Sequence, residues 1–442
     1  MNICQSPASF SIFAVLFSVL RKEVQEQRLG KRWYTNQLFH VQPVREKWCF
    51  LIKNGAVVHE YAFLCTTGPE QMSQMVIKGQ ATVVKHTGSH YMLSALPQWD
   101  IFPAVLRGKI RLKGSTATNP VAVGDIVDFE AEVPEGVEAE VQEGYVTAGR
   151  EGEMLSEIIT LETPAVITSV HPRRNYVIRK STNLSRQSHI IAANLDRAFL
   201  VVTLDFPQVK LPFLDRLLVT CEVYNVPAVI VLNKCDLYGP EHEDMRSAFH
   251  EIYEGAGYPV IEVSAHTGEG VDRLRAIVSG RELPDGTSNE EYDPSRPCVS
   301  LFSGVSGVGK SSLIKALDPS LDPRVGDISD AHEQGRHTTT FYEMYKVSPA
   351  PSLCHPELVE GSAGFIVDTP GLRGFGLVDL KKEEIALYFP EMLKVSENCR
   401  FTPCTHTHEP GCAVKEAVES GEISYDRYSS YLGMLDEEGK YR

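Results

Sequence analysis

The sequence predicts a multidomain chain: a small N-terminal all-β barrel, a central α/β domain on a parallel sheet, and a C-terminal α-helical segment that binds metal. Three observations carry this expectation. Short β-type runs broken by Gly, Pro and Asn fill 75–170, and apolar strand-like runs alternate with amphipathic segments from 198 to 367. Near the C-terminus Cys399, Cys404 and Cys412 crowd into 14 residues.

The 442 residues leave room for about three domains at roughly 150 residues each. A composition of 43% hydrophobic and 23% charged residues excludes disordered, collagen-like and coiled-coil chains. The balance of 43 Lys+Arg against 58 Asp+Glu, net -15, excludes a globally basic nucleic-acid coat, so any RNA contact must be regional. The longest apolar stretch, 12–20, falls well short of the ~20 residues that cross a bilayer. No basic residue precedes it, and Arg21 and Lys22 lie on the wrong side for a secretory signal. Seven of the ten cysteines stand singly, which fits a reducing, cytoplasmic compartment rather than a disulfide framework.

Residues 1–74 carry no sustained period and no motif and form an unassigned leader. Met72 and Met75 immediately precede the regular pattern 76–84, so a native start there would make 1–71 untranslated or dispensable. In the barrel, 75–170, β-type runs fall at 81–84, 90–94, 105–112, 125–129 and 165–170. Arg107, Lys109, Arg111 and Lys113 alternate along one of them, as an RNA-facing strand or a merely solvated one would. Between 130 and 157 the chain turns Glu- and Gly-rich, an expected acidic surface loop. A basic linker follows at 171–190, where Arg173, Arg174, Arg179, Lys180 and Arg186 meet no acidic residue and suit a phosphate backbone.

The α/β domain, 191–386, carries the chemistry. Gly304-Val305-Ser306-Gly307-Val308-Gly309-Lys310-Ser311 fits G-x-x-x-x-G-K-[ST] between an apolar run at 299–303 and a helical run at 311–317. Such a loop wraps phosphates in backbone N–H groups at a helix N-terminus; Lys310 reaches the β- and γ-phosphates and the Ser311 hydroxyl suits Mg²⁺. Asn233-Lys234-Cys235-Asp236 follows another buried run. An ionised Asp236 only accepts hydrogen bonds, so it matches the paired donors of guanine and not adenine. Asn233 would brace neighbouring loops, the Lys234 stem would lie over the base, and Ser264-Ala265 would offer a backbone N–H to the guanine carbonyl.

Asp368-Thr369-Pro370-Gly371 places a carboxylate for a Mg²⁺-bound water and a Gly371 N–H for the γ-phosphate. Gly335-Arg336-His337-Thr338-Thr339-Thr340 supplies a Mg²⁺-binding hydroxyl, with Thr339 the choice among three threonines. In chain order the base loop precedes the phosphate loop, whereas ordinary GTPases run the other way: the domain is circularly permuted. Leu372 stands where Ras-like enzymes place a water-orienting Gln, so slow intrinsic turnover and acceleration by a partner are expected. His337 is the internal candidate to position water, and packing is its competing role.

In 387–442, Cys399, Cys404, His406 and Cys412 are a soft ligand set for one closed, structural Zn²⁺, with His408 a competing ligand. Tyr425, Arg427, Tyr428 and Tyr431 offer either an aromatic-basic RNA surface or ordinary helix packing.

Together, a β-barrel, motifs in the order NKCD, SA, GVSGVGKSS, GRHTTT, DTPG, and a C-x4-C-x-H-x5-C segment resemble the RsgA (YjeQ) family over about 76–442. The resemblance implies an OB-fold barrel and a GTPase stimulated by the small ribosomal subunit that acts in its late maturation. It also implies GTP contacts from Asn233 to Asp236 and from Gly304 to Ser312, and zinc on the Cys₃His set. A monomer is expected. The chain departs from the family pattern in the leader, in a lengthened 133–160 loop and in an inserted segment at 348–362. Two other functions compete: an RNA-binding, GTP-dependent switch with little turnover, and an ATP-dependent P-loop kinase or transporter, against which Asp236 argues.

Overall fold

The computed structural model describes residues 37–41, 46–53, 56–64, 75–87, 90–106, 120–133, 139–142, 145–148, 154–180, 188–321, 342–348, 364–369 and 380–437. They fall into two compact units, Met1–Met75 and Val76–Arg442. The first is not featureless: Gln37–Val41, Glu46–Lys53 and Ala56–Leu64 form a three-stranded antiparallel sheet. Its signal was in the sequence, because Asn54-Gly55 between two apolar runs is the strongest short-range hairpin marker.

The second unit opens with a five-stranded barrel. Its strands run in the order Met75–Thr87, His90–Ser94, Ile101–Leu106, Ala165–Val170, Ile126–Val133, and the last pairs back to the first. The third and fourth are parallel, and this Greek-key closure is the OB topology. Phe102 and Phe129 are fully buried, with ring centroids 5.0 Å apart. The run expected at 105–112 ends at Leu106, and Arg107, Lys109, Arg111 and Lys113 lie outside the described residues. Within the acidic segment, expected as a surface loop, Ala139–Gln142 and Tyr145–Ala148 pair antiparallel.

The α/β sheet runs Val260–Val263, Ala228–Asn233, Arg197–Val202, Cys298–Gly304, Gly364–Asp368, Tyr342–Val347. The first five strands are parallel and the last is antiparallel, a departure from the all-parallel expectation. Alternation along these buried strands builds two cores, as a sheet covered on both faces requires. Ala198, Leu200, Val202, Ile230 and Leu232 face helices Leu211–Val223 and Glu243–Gly255. Phe199, Val201, Val229 and Val231 face helices Val271–Val278 and Lys310–Leu317.

Barrel and α/β sheet are continuous. Tyr342–Val347 pairs with Met75–Thr87 through Tyr342↔His86 and Glu343↔Lys85, and an ion pair of 2.7 Å joins Lys85 to Glu343. The strand that joins the barrel is therefore the one that follows the Thr338–Thr340 segment in sequence.

Helices Lys382–Ile385, Pro390–Ser396, Ala413–Ser420 and Tyr425–Glu437 form the C-terminal layer, and its core takes in Val219 of helix Leu211–Val223. Arg427 is fully buried there. Its guanidinium bonds Glu391 through two nitrogens (2.7 and 3.1 Å) and Asp215 at 2.8 Å, and it lies 4.6 Å from the Phe389 ring centroid. Burial, only partly offset by Arg427, raises the Asp215 carboxyl. The choice left open for this helix resolves to packing for Arg427 and Tyr431, both buried, while Tyr425 is exposed.

Candidate nucleotide and metal sites

Strand Cys298–Gly304 delivers the phosphate loop to helix Lys310–Leu317. Two glycines are dictated by space and backbone. A Cβ on Gly304 would meet the Val201 carbonyl oxygen at 2.5 Å. Gly309, at φ +88, would drive one into the Asn233 Nδ2 at 2.5 Å. Val308 is buried and anchors the loop, whereas Ser306, Gly307 and Ser312 are exposed and Val305, Gly309 and Ser311 half-buried. Lys310 is 9% exposed, and its ammonium donates to the Asp368 carboxylate and to the Thr369 carbonyl oxygen. The phosphate lysine and the candidate Mg²⁺-water carboxylate are thus neighbours. Thr369, given no role by the sequence, is fully buried and donates to the Phe302 carbonyl oxygen at 2.8 Å, pinning the segment after Asp368 to the phosphate-loop strand.

The base-recognition loop is braced to the phosphate loop. Asn233 donates through Nδ2 to the Val308 carbonyl oxygen at 2.8 Å and accepts the Ala265 N–H through Oδ1 at 3.2 Å. Lys234 Nζ donates to the Gly307 carbonyl oxygen at 2.8 Å and to that of Phe206. Asp236 is exposed, and the Ser264 hydroxyl holds its Oδ1 at 2.5 Å. Ser264 Oγ in turn accepts the N–H groups of His266 (3.2 Å) and Thr267 (3.0 Å). Burial, then the carboxylates Glu269 and Glu262, push the Cys235 thiol up to about 11, so it stays protonated. The structure brings 233–236, 264–265, 304–312 and Asp368 to one edge of the sheet, at the C-terminal ends of parallel strands, where α/β folds bind ligands. His337, Thr339 and Gly371 lie outside the described residues.

At the C-terminus the ligand atoms of Cys399, Cys404, His406 and Cys412 all lie within 4.8 Å of one another. Cys399 Sγ is 4.0 Å from Cys412 Sγ, and His406 Nδ1 is 3.6 and 3.4 Å from these two. Tetrahedral zinc with Zn–S of about 2.3 Å demands sulfur separations of this size. Burial first, then the neighbouring thiols, push the Cys404 thiol up to about 12, so without a cation it keeps its proton. The cluster can hold a metal ion. His408, exposed and bonded to Thr407 Oγ1 at 2.9 Å, is not among the gathered ligands. Tyr428 and Tyr431 donate to the carbonyl oxygens of His406 and Thr405, both at 2.6 Å, so these tyrosines support the loop.

The basic linker spends part of its charge internally. Arg173 makes two 2.6 Å bonds to fully buried Asp125, and Arg174 bonds Asp196 at 2.8 Å. The expectation of a free basic run fails at these two because each meets an acid distant in sequence; the side chains of Arg179, Lys180 and Arg186 lie outside the described residues.

This fold and site define a P-loop GTPase whose motifs are circularly permuted. The family model described as RsgA GTPase matches residues 170–283 and 294–378. The chain is 42% identical over 362 residues to the small ribosomal subunit biogenesis GTPase RsgA of Bacteroides fragilis, covering 81% of this chain and 98% of that protein. A Porphyromonas gingivalis protein of the same name is 41% identical over 360 residues, 81% of this chain and 97% of the relative. The solved structure of YjeQ from Thermotoga maritima superposes with a TM-score of 0.58 at 28% identity, covering 83% of this chain and all of that one. That of YloQ, described as a circularly permuted GTPase, shares the fold at a TM-score of 0.51 and 22% identity, over 85% and 99% of the two chains. The chain belongs to the RsgA GTPase family and is a GTP-hydrolysing enzyme. Among the described residues no helix is long and apolar enough to cross a membrane.

Proposed function

We propose that the chain binds the small ribosomal subunit and acts in its late maturation, hydrolysing GTP to GDP and phosphate with stimulation by the subunit. What carries this reading is that relatives bearing the biogenesis name are matched over 97–98% of their length, not over the P-loop domain alone. In this reading Asp236 accepts the guanine ring N–H and amine, with Asn233, Lys234, Cys235, Ser264 and Ala265 forming the base pocket. Residues 304–312 wrap the phosphates, and Gly371 senses the γ-phosphate. Lys310 leaves Asp368 for the nucleotide, which frees that carboxylate.

The hydroxyls of Ser311 and Thr339, with Asp368 behind, would hold Mg²⁺, whose charge supplies phosphate neutralisation. Zinc fits the Cys₃His cluster as a structural ion with no open position, fixing the loop beneath Tyr428 and Tyr431. The barrel and the cysteine segment would grip RNA in the cytoplasm, the chain acting as a monomer.

His337 would orient the attacking water. An H337A chain whose subunit-stimulated kcat matched the wild type would remove that role. The competing reading is a GTP-dependent RNA-binding switch with little turnover. Steady-state GTP hydrolysis with small subunits, against large-subunit and ATP controls, separates the two.

A further inference from the structure

One side chain outside every motif links the loops at the nucleotide edge. Tyr238 follows the short turn Cys235–Leu237, two residues past Asp236. Its hydroxyl donates to the Asn233 carbonyl oxygen at 2.6 Å and accepts the Leu204 N–H at 2.9 Å. The partners stand at the C-terminal ends of adjacent parallel strands, Ala228–Asn233 and Arg197–Val202. The phenol therefore fixes the backbone carbonyl of the residue whose side chain bridges Val308 and Ala265. It also anchors the 203–207 loop, whose Phe206 carbonyl takes the Lys234 ammonium.

The backbone on both sides needs such an anchor. Lys234 (φ +66) and Phe206 (φ +60) are non-glycine residues in the left-handed region, which persists where the surroundings over-determine it. Thr203 Oγ1 donates to the Pro207 carbonyl oxygen at 2.6 Å, and Asp205 Oδ1 accepts the Phe206 N–H at 2.8 Å, closing the loop on itself. These bonds hold the 203–207 loop internally, whereas the Tyr238 hydroxyl, like the Lys234 ammonium, reaches between the two loops. Burial, outweighing the Leu204 bond, pushes this phenol up to about 12, so it keeps its proton at working pH.

We infer that Tyr238 is a positioning residue for guanine recognition: its hydroxyl sets the backbone on which Asn233, Lys234 and Asp236 stand, and through them the preference for guanine. This rests on the GTP reading proposed above. Two donors on guanine must meet two carboxylate oxygens at once, so a small displacement of the 233–236 turn costs guanine more than a base with one donor.

The test is Y238F in the full chain, with equilibrium binding of Mg²⁺ complexes of GTP, inosine triphosphate and inorganic tripolyphosphate. Inosine triphosphate lacks the exocyclic amine. Removing the hydroxyl leaves the Leu204 N–H and Asn233 carbonyl short of a partner, and GTP affinity is expected to fall about tenfold. Inosine triphosphate should weaken less, narrowing the ratio between the two, while tripolyphosphate binding stays unchanged. An unaltered GTP to inosine triphosphate ratio overturns the inference. So does an equal loss for GTP and tripolyphosphate, accompanied by a lower melting temperature, which would make Tyr238 merely structural. A wild-type chain that binds ATP as tightly as GTP would instead sink the GTP reading itself, before Tyr238 is at issue.

Discussion

The nucleotide edge and the cysteine segment solve opposite problems with different bonds. At the nucleotide edge most braces are single, directed hydrogen bonds from side chains to backbone carbonyls: Asn233 to Val308, Lys234 to Gly307, Tyr238 to Asn233. Asp236 itself is exposed. At the C-terminus four ligand atoms face inward on one point, and the layer is locked to the α/β domain through an arginine with no exposure. The first leaves groups available to a ligand that comes and goes. The second is closed: Arg427 meets Glu391 and Asp215 inside the chain, and Asp215 Oδ2 is buried without a hydrogen bond.

The comparison breaks most visibly at the metal cluster. C404S, or chelation of the wild-type chain, should remove one bound zinc per chain and the cooperative unfolding of the C-terminal helices. Structural zinc sites contribute on the order of 10 kcal/mol of apparent binding free energy. GTP affinity should survive, because the nucleotide loops are braced among themselves. Metal analysis alongside calorimetry checks this, and one retained zinc with an unshifted melting temperature would contradict it.

Next comes R427A, which strands Asp215 and Glu391 in the interior. A loss of about 3–5 kcal/mol in urea unfolding is expected. A change under about 1 kcal/mol would mean that water reaches the carboxylates and that the lock is weaker than its geometry.

On the nucleotide side, D236N keeps an acceptor and gains a donor, so guanine meets one matched and one clashing contact. GTP affinity should fall by about a hundredfold, or ~2.7 kcal/mol, while the xanthine nucleotide, with a carbonyl in place of the amine, should gain. Titration with both nucleotides reads the exchange, and equal losses for the two would refute the base contact.

The smallest effect is a pH dependence beside the base loop. Burial would raise Glu262, but its bonds to Arg246 (2.7 and 2.5 Å) and His250 (2.8 Å) outweigh it and lower the carboxyl. A depressed carboxylate contributes stability above its unfolded pKa, near 4.3, and loses it as the pH falls through the folded value. E262Q should therefore cost about 1 kcal/mol or less at pH 7, Arg246 being 40% exposed, and almost nothing at pH 3. Thermal unfolding at the two pH values checks the sign.

What could be read from the sequence follows the range of each interaction. The phosphate loop, the 233–236 turn and the cysteine spacing are local, and the structure gathers the described members of each. Asn54-Gly55 was local too, yet went unread because the runs beside it lacked a clean alternation. Arg173 and Arg427 resisted because a charged residue declares nothing about a distant acid, here Asp125, Asp215 and Glu391. The antiparallel pairing of Tyr342–Val347 with the barrel has no local signature at all. Tyr238 matched no motif because its role lies in two backbone partners, one of them 34 residues upstream.

As proposed, the chain is a GTPase of small-subunit maturation whose turnover that particle stimulates. Steady-state GTP turnover of the purified chain, alone and with small or large ribosomal subunits, tests it most directly. Slow intrinsic hydrolysis, accelerated strongly by small subunits alone, is the predicted result. Turnover that small subunits leave unchanged, with GTP binding intact, would contradict it.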